Sequence, residues 1–157
     1  MLLVDEVQSP LGTIHLAVRG GALCALTFEK PLAGERRRTP VSDAVRTYFE
    51  GDLNALDQIE VDPAGTPFQK AVWSLLREIP LGETKTYGQL AARLRSSPRA
   101  VGSANGANPI ALVIPCHRVI AADGSLCGYA YGLERKQWLL HHEATSSLAQ
   151  VAAAPSR

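Results

Sequence analysis

The first 60 residues carry short apolar runs separated by turn residues. Residues 4–7, 14–18 and 23–28 alternate between apolar and polar side chains, or are apolar throughout, over lengths that suit β-strands. The segments between them, 9–12 and 19–21, contain the glycine and proline residues that tight turns prefer. The pattern therefore predicts a small antiparallel meander.

A helix is expected to follow the meander. Residues 31–40 read as a polar, solvated loop, and Ser42 is a candidate N-cap for a helix that reaches Phe49 and ends at Gly51. Residues 56–61 are predicted to form a last strand, and residues 62–65 a linker.

The pattern changes to a helical period after the linker. Thr66 and Pro67 suit the start of a helix, and apolar residues then recur three or four positions apart. Thr86 can cap a second helix over 87–94, and a third, short helix is expected over 99–105. Residues 110–114 read as an apolar strand, and a last helix is predicted over 133–144, with Leu139 and Leu140 facing inward and Arg135 and Lys136 facing outward.

The two short helices have the size of a helix-turn-helix unit, in which the second helix enters a DNA groove. That second helix is made almost entirely of small residues, which let it approach a sugar-phosphate wall but read few base edges. The net charge of only +1 hides a local asymmetry, because residues 85–122 contain five basic residues and no acidic one. This basic segment suits a DNA-binding surface, and a solvated basic face is the alternative. The pattern predicts DNA binding through phosphates with little sequence preference.

Cysteine usage and the first residues predict an intracellular, metal-free protein. Three cysteines, an odd number without metal-type spacing, fit the reducing cytosol or nucleoid. Cys24 and His15 alone are too few for a closed zinc site in the first part. No basic n-region opens the chain and no segment has the apolar length of a membrane span, so we expect neither a signal peptide nor membrane insertion.

The candidate chemistry centres on Cys116, which lies between Pro115 and His117. A buried cysteine packed as a small hydrophobe is one interpretation. The other is a nucleophile, since a neighbouring imidazole favours the thiolate, either directly or through a water molecule. Glu143 is the only carboxylate after Glu134, and it could either orient His117 or lie on the helix surface.

Several motifs in one order favour the nucleophile. They are Phe68-Gln69, Val72-Trp73, residues 79–84, Tyr87-Gly88, residues 99–102, Asn108-Pro109, residues 115–119, Gly128-Tyr129 and residues 139–143. In these motifs the chain resembles the O6-alkylguanine-DNA alkyltransferase family, closely over residues 63–145 and loosely before them.

Together, the residue pattern and the resemblance predict a mixed α/β (α+β) fold with three parts. Residues 1–62 would form a supporting domain with a small antiparallel sheet and a helix. Residues 63–145 would form a mostly helical DNA-binding and alkyl-acceptor domain, and residues 146–157 a flexible tail. The implied activity is irreversible transfer of the O6-alkyl group of guanine, with O4-alkylthymine a further candidate, to Cys116. The implied protein is a monomer that reacts once, without a cofactor, on double-stranded DNA bound by its minor groove.

The resemblance also implies individual roles. Cys116 would accept the alkyl group, with His117 linked to it through water and Glu143 behind His117. Asn108 would tie the turn before the site to the helix-turn-helix, and Tyr87 would donate a hydrogen bond to the flipped base or turn its phosphate. Arg99 would enter the base stack. The further implied DNA contacts are Thr86, Ala100, Gly102, Ser103, Ala104 and Arg118, and the implied pocket residues are Val119, Tyr129, Ala130 and Tyr131.

Two departures and two rivals bear on this prediction. The turn between Tyr87 and Arg99 is shorter than is common in the family, and relatives often have a small residue in place of Tyr131. One rival, a relative that holds damaged DNA without chemistry, would lack the nucleophile that Cys116 provides. The other, a hydrolase or a redox sensor, would need an oxyanion hole or a resolving cysteine, for which Cys127 is the nearby candidate.

Overall fold

A four-stranded sheet forms the first layer of the protein. The computed structural model describes residues 1–126 and 128–153, with side chains as far as residue 144. Strands β1 (Leu3–Ser9), β2 (Gly12–Arg19) and β3 (Ala22–Thr27) pair antiparallel, which confirms the predicted meander. Within residues 31–40, predicted as a loop, β4 (Glu35–Arg36) adds a short parallel edge to β1, so the strand order is β3-β2-β1-β4.

Helix α1 (Pro40–Phe49) packs against β1. It begins earlier than predicted, because Thr39 and not Ser42 is the N-cap. The Thr39 hydroxyl accepts a hydrogen bond from the Ser42 amide at 3.1 Å, and the Ser42 hydroxyl accepts one from the Thr39 amide at 3.0 Å. This reciprocal arrangement is a capping box with proline at the first helical position. Val45 and Tyr48 face inward on the same side of α1 and are fully buried.

The strand predicted over residues 56–61 is absent. Turns occupy residues 53–58, and a single parallel bridge joins Leu23 to Val61. Leu53, Leu56 and Ile59 are nevertheless buried in the core, so the apolar signal was correct and its assignment to a strand was wrong.

Three helices build the second layer: α2 (Pro67–Arg77), α3 (Tyr87–Leu94) and α4 (Pro98–Gly106). Thr66 and Thr86 cap α2 and α3 as predicted. Arg95 ends α3 in the left-handed conformation, at a φ of 52°. The indole N–H of Trp73 donates to the Ala104 carbonyl at 2.9 Å, which ties α2 to α4 through a buried hydrogen bond.

The apolar segment before the cysteine is a compact turn and not the predicted strand. The Leu26 amide donates to the Pro109 carbonyl at 3.0 Å and the Ala111 amide donates to the Leu26 carbonyl at 3.1 Å, which joins this segment to the sheet. Leu112 then takes a φ of 72°, and the chain folds back so that the Ile114 amide reaches the Ile110 carbonyl at 3.1 Å. The turn brings the next residues beside α4.

A 3-10 turn at Cys116–Arg118 leads into β6 (Val119–Ile120), which pairs in parallel with β5 (Lys85–Thr86). Helix α5 (Leu133–Ala153) closes the fold and runs beyond the end predicted near residue 144. Leu139 is fully buried as predicted, but Lys136 is also fully buried, which contradicts its outward placement. Among the described residues, no helix has both the length and the apolar character needed to cross a bilayer.

Candidate active site

The Cys116 thiol lies at the start of the 3-10 turn, and the residue is only 4% exposed. Burial raises the pKa of this thiol above its ordinary value, because an apolar surrounding disfavours the charged thiolate. Asn108, the positive charge of Lys136 and Tyr129 act in the opposite direction and stabilise the thiolate. The site therefore holds a protonated thiol whose deprotonation is assisted by its neighbours.

Behind the thiol, His117, Arg118 and Glu143 form a buried polar cluster. The His117 Nε2 lies 2.9 Å from Glu143 Oε2, and the Arg118 Nε donates to Glu143 Oε1 at 2.8 Å. The Arg118 guanidinium also bonds Glu143 Oε2 at 3.0 Å and the Ile79 carbonyl at 2.8 Å. One carboxylate of α5 thus fixes the 3-10 turn that carries both His117 and Arg118, and His117 pairs with Glu143 as predicted.

Glu143 has a further partner that the sequence analysis did not identify. The Tyr48 hydroxyl, from α1, donates to Glu143 Oε2 at 2.7 Å. Burial would raise the pKa of Glu143, but the charges and hydrogen bonds of His117 and Arg118 outweigh it and hold that pKa far below its usual range. Burial, and then the Glu143 charge, raise the pKa of Tyr48 well above its ordinary value. Glu143 is therefore a carboxylate and Tyr48 a neutral donor at any physiological pH.

The second nitrogen of His117 faces the other way. Its Nδ1 is buried and has no hydrogen-bond partner among the described residues. With Nε2 committed to Glu143, Nδ1 is the atom through which His117 can exchange a proton with the thiol or with a water beside it.

Two asparagines fix the backbone around Cys116. Asn108 donates from Nδ2 to the Ile114 carbonyl at 2.9 Å, while its Oδ1 accepts from the Ile110 amide at 2.9 Å. Asn105, on α4, donates to the Cys116 carbonyl at 3.4 Å. Asn108 thus closes the turn before the cysteine, and both of these hydrogen bonds lie within that turn. The side chain that connects the turn to the candidate DNA-binding helix is that of Asn105, a role that the resemblance gave to Asn108.

Aromatic residues cover the other side of the thiol. Tyr131 contacts Tyr129 edge-on at 5.7 Å between ring centroids and Phe28, from the first part of the chain, at 5.2 Å. The Tyr129 hydroxyl is buried and, apart from the thiol whose pKa it lowers, has no hydrogen-bond partner among the described residues. Proximity to the Cys116 thiolate contributes to the raised pKa of both tyrosines, after burial. Ala130, between them, is exposed.

The predicted DNA-binding surface lies on α3 and α4, with Arg99 and Ser103 exposed and Ala100 and Gly102 partly so. The Tyr87 ring lies against Gly102, where an added methyl group would meet ring atoms at 3.8 Å. Its hydroxyl approaches Gly128, where an added methyl group would lie 3.9 Å away. Tyr87 therefore spans the gap between α4 and the loop that carries Tyr129.

Four predicted roles need adjustment. Ala104 is buried and its carbonyl is bonded to Trp73, so its side chain does not face DNA. Arg118 was assigned to DNA, but its guanidinium is bound to Glu143 and Ile79. Val119 was assigned to the pocket lining, but its side chain is fully buried in the core. The Thr86 hydroxyl is engaged as the α3 cap, which leaves this half-buried residue a structural role.

The comparisons with known proteins agree with this geometry. The family model described as the DNA-binding domain of 6-O-methylguanine DNA methyltransferase matches residues 67–145. A methylated-DNA–protein-cysteine methyltransferase of Mycolicibacterium paratuberculosis is 44% identical over 162 aligned positions, which cover 96% of this chain and 98% of that protein. The chain belongs to the O6-methylguanine-DNA methyltransferase family.

Other members of the O6-methylguanine-DNA methyltransferase family are similar to this chain over part of their sequence or in their solved structures. The Salmonella typhimurium methylated-DNA–protein-cysteine methyltransferase is 55% identical, but the match covers 66% of this chain and 61% of that protein. The crystal structure of the Mycobacterium tuberculosis O6-methylguanine methyltransferase covers all of this chain and 97% of its own, at 36% identity and a TM-score of 0.82. A structure of the M. tuberculosis protein in complex with DNA has a TM-score of 0.83 at 37% identity, covering 92% of this chain and 94% of its own.

Two site residues escaped the sequence analysis although their helices carried a signal. Val41, Val45 and Tyr48 recur at helical spacing, and a buried tyrosine hydroxyl needs a polar partner. Lys136 shares the spacing of Leu139 and Glu143 on α5. Its ammonium donates to the Val119 carbonyl at 2.6 Å and to the Gly128 carbonyl at 3.2 Å, which joins the two sides of the site.

Proposed function

We propose that this protein repairs DNA directly, by transferring the O6-alkyl group of guanine to its own Cys116, once per molecule. The observation that carries the proposal is the buried thiol of Cys116, placed between the His117–Glu143 pair and the helix-turn-helix surface. The family relation supports the same chemistry. Double-stranded DNA that contains O6-alkylguanine is the proposed partner, with the small-residue helix α4 in the minor groove.

The target base must leave the stack to reach the thiol, because Cys116 lies below the surface and a paired base cannot enter. Arg99, exposed on α4, is positioned to occupy the gap in the duplex. Tyr87 stands between α4 and the Gly128 loop, where it can contact the extruded nucleotide. Small exposed residues on α4 allow close approach to both strands, and phosphate contacts then give binding with little sequence preference.

The chemical step is a single displacement. The Cys116 proton passes to His117, through Nδ1, and the imidazolium formed is stabilised by Glu143. The sulfur then forms a bond to the alkyl carbon as the carbon–O6 bond breaks, and the electron pair goes to guanine. Guanine takes up one proton, for which Tyr87 is a candidate donor, and leaves as the unmodified base.

The product explains the single turnover. The alkylated sulfur of Cys116 has no proton to lose, so it is no longer a nucleophile, and its carbon–sulfur bond does not break under mild conditions. No group among the described side chains of the site offers a route to cleave it, and the displacement balances without a cofactor. We infer also that the protein works as a monomer in the cytoplasm or nucleoid, since the cysteines suit a reducing compartment.

Intact-protein mass spectrometry after mixing with an O6-methylguanine duplex tests the proposal. Wild-type protein should gain the mass of one methyl group, located on Cys116 by peptide mapping, and the Cys116→Ala variant should gain none. Repair of more than one equivalent of DNA by unmodified protein would contradict the proposal. Binding of the duplex without any mass gain would favour the rival in which the protein only holds damaged DNA.

A further inference from the structure

The relay behind the thiol includes a residue from the first part of the chain. We propose that Tyr48 is a positioning residue for the transfer reaction, and that it sets the orientation and charge distribution of Glu143 beneath His117. The proposal deepens the proposed function, on which it rests, and it gives the N-terminal α/β part a direct role in the chemistry.

Tyr48 bonds the same oxygen of Glu143 that pairs with His117. Its hydroxyl donates to Glu143 Oε2 at 2.7 Å, and His117 Nε2 lies 2.9 Å from the same atom. Arg118 spans both Glu143 oxygens, at 2.8 Å and 3.0 Å. The carboxylate therefore receives hydrogen bonds from three side chains, and Oε2 is shared between the imidazole, the guanidinium and the phenol.

The surroundings of Tyr48 hold the hydroxyl in that place. The residue is fully buried, and its ring packs edge-on against His142 of α5 at 5.2 Å between centroids. The His142 ring nitrogen lies 3.1 Å from the Tyr48 carbonyl. The hydroxyl, the ring and the backbone carbonyl of Tyr48 all contact α5, so Tyr48 has little freedom to turn away from Glu143.

The consequence for the reaction follows from positioning. The phenol and the guanidinium both hold Glu143 Oε2, and the imidazole that bonds the same atom keeps the orientation in which its Nδ1 is left for the thiol. Without the phenol, the carboxylate would lose one of its anchors and the imidazole would hold this orientation less firmly. His117 would then accept the thiol proton less well.

The test is the pH profile of methyl transfer by Tyr48→Phe, which removes the hydroxyl and keeps the ring. Single-turnover rates are measured with saturating O6-methylguanine duplex, with DNA affinity measured separately. We expect a rate about fivefold to tenfold lower at each pH between about 6 and 8 and unchanged affinity for DNA, as a lost buried hydrogen bond of about 1–1.5 kcal/mol implies.

Ser42→Ala is the matched control, because it weakens the capping box of α1 without touching Glu143. If Tyr48 acts only through stability, both variants will lower the unfolding midpoint and leave the rate and pH profile of the folded protein at wild-type values. That result would overturn the inference. Wild-type protein that transfers no methyl group would instead contradict the proposed function itself.

A double-mutant cycle with Glu143→Gln sharpens the assignment. If Tyr48 acts through Glu143, Tyr48→Phe should change the rate of the Glu143→Gln protein less than twofold, because the atom it positions has already been replaced. A full effect of Tyr48→Phe in that background would show that the hydroxyl acts elsewhere and would overturn the inference.

Discussion

The two sides of Cys116 differ in how completely their polar atoms are satisfied. On the inner side, Glu143 bonds three side chains. On the outer side, aromatic rings lie beside the thiol, and the Tyr129 hydroxyl has no partner other than the thiol among the described residues. The carboxylate of the inner side is thus fully bonded in the folded protein and His117 Nδ1 is left for the thiol proton, while the outer side keeps the Tyr129 hydroxyl available to an incoming ligand. The difference suggests that folding sets the reactivity of the sulfur and that DNA completes the pocket.

The largest effect should come from breaking the inner side. Glu143→Gln leaves Arg118 without its counter-charge and His117 without an anionic partner, so we expect methyl transfer to slow at least 100-fold. Unpairing a buried charge should also lower the free energy of unfolding by about 3 kcal/mol. Rapid-quench assays and urea unfolding measure both. A variant with wild-type rate would show that the inner side has no part in the reaction.

The pH dependence separates the groups of the two sides. Burial raises the pKa of the Cys116 thiol, so the thiolate fraction and the transfer rate should rise about tenfold per pH unit between pH 6 and 8. Glu143 should not titrate there, since its pKa is lowered in the folded protein. Its contribution to stability is present above the ordinary pKa of 4.5 and declines as the pH falls below it. A rate independent of pH in this range would contradict the assignment.

An intermediate effect is expected on the DNA-facing surface. Arg99→Ala should lower the transfer rate on duplex DNA about tenfold or more, because the extruded base would lose the group that replaces it in the stack. Transfer from the free base O6-benzylguanine, which needs no extrusion, should remain unchanged. The Arg93→Ala variant, which removes another exposed arginine of the same unit, is the control and should affect duplex repair less. Equal losses in both variants would indicate a general charge effect.

The smallest effect should come from the pocket mouth. Tyr131 lies between Tyr129 and Phe28, where it narrows the approach to the thiol. Tyr131→Gly should therefore speed transfer of a benzyl group several-fold and leave methyl transfer within about twofold of wild type, since the size of a pocket discriminates against the bulkier adduct. Parallel rates for the two adducts, with Tyr131→Phe as the control, measure the effect. Equal benzyl rates in wild type and Tyr131→Gly would remove this role.

The sequence was most informative where function depends on neighbouring residues. Cys116 and His117 adjoin each other, and Glu143 follows at a helical position, so chemistry and resemblance together predicted their pairing. Tyr48 lies 95 residues before Glu143, and no local pattern connects them. Arg118 binds Glu143 and not DNA, and this role depends on the same long-range packing.

The prediction of secondary structure failed where tertiary contacts determine the backbone conformation. Residues 110–114 form a short apolar run, which periodicity alone cannot assign. Their turn is set by the Asn108 amide and by hydrogen bonds to Leu26, both of which depend on the assembled fold. Lys136 was predicted to face solvent because lysine usually does, but carbonyl groups on two segments bind its ammonium inside the protein.

The bond between Trp73 and the Ala104 carbonyl gives the protein a built-in optical reporter. Indole emission responds to the field around the ring, and the only other tryptophan, Trp138, stacks on His142 at 4.7 Å. Because Trp73 is anchored to α4, its fluorescence should change when that helix docks on a duplex, while Trp138 serves as an internal reference. The Trp73 signal, isolated by replacing Trp138 with phenylalanine, would follow DNA capture in real time without an attached dye, and the Trp138 signal, isolated in the converse variant, would stay constant.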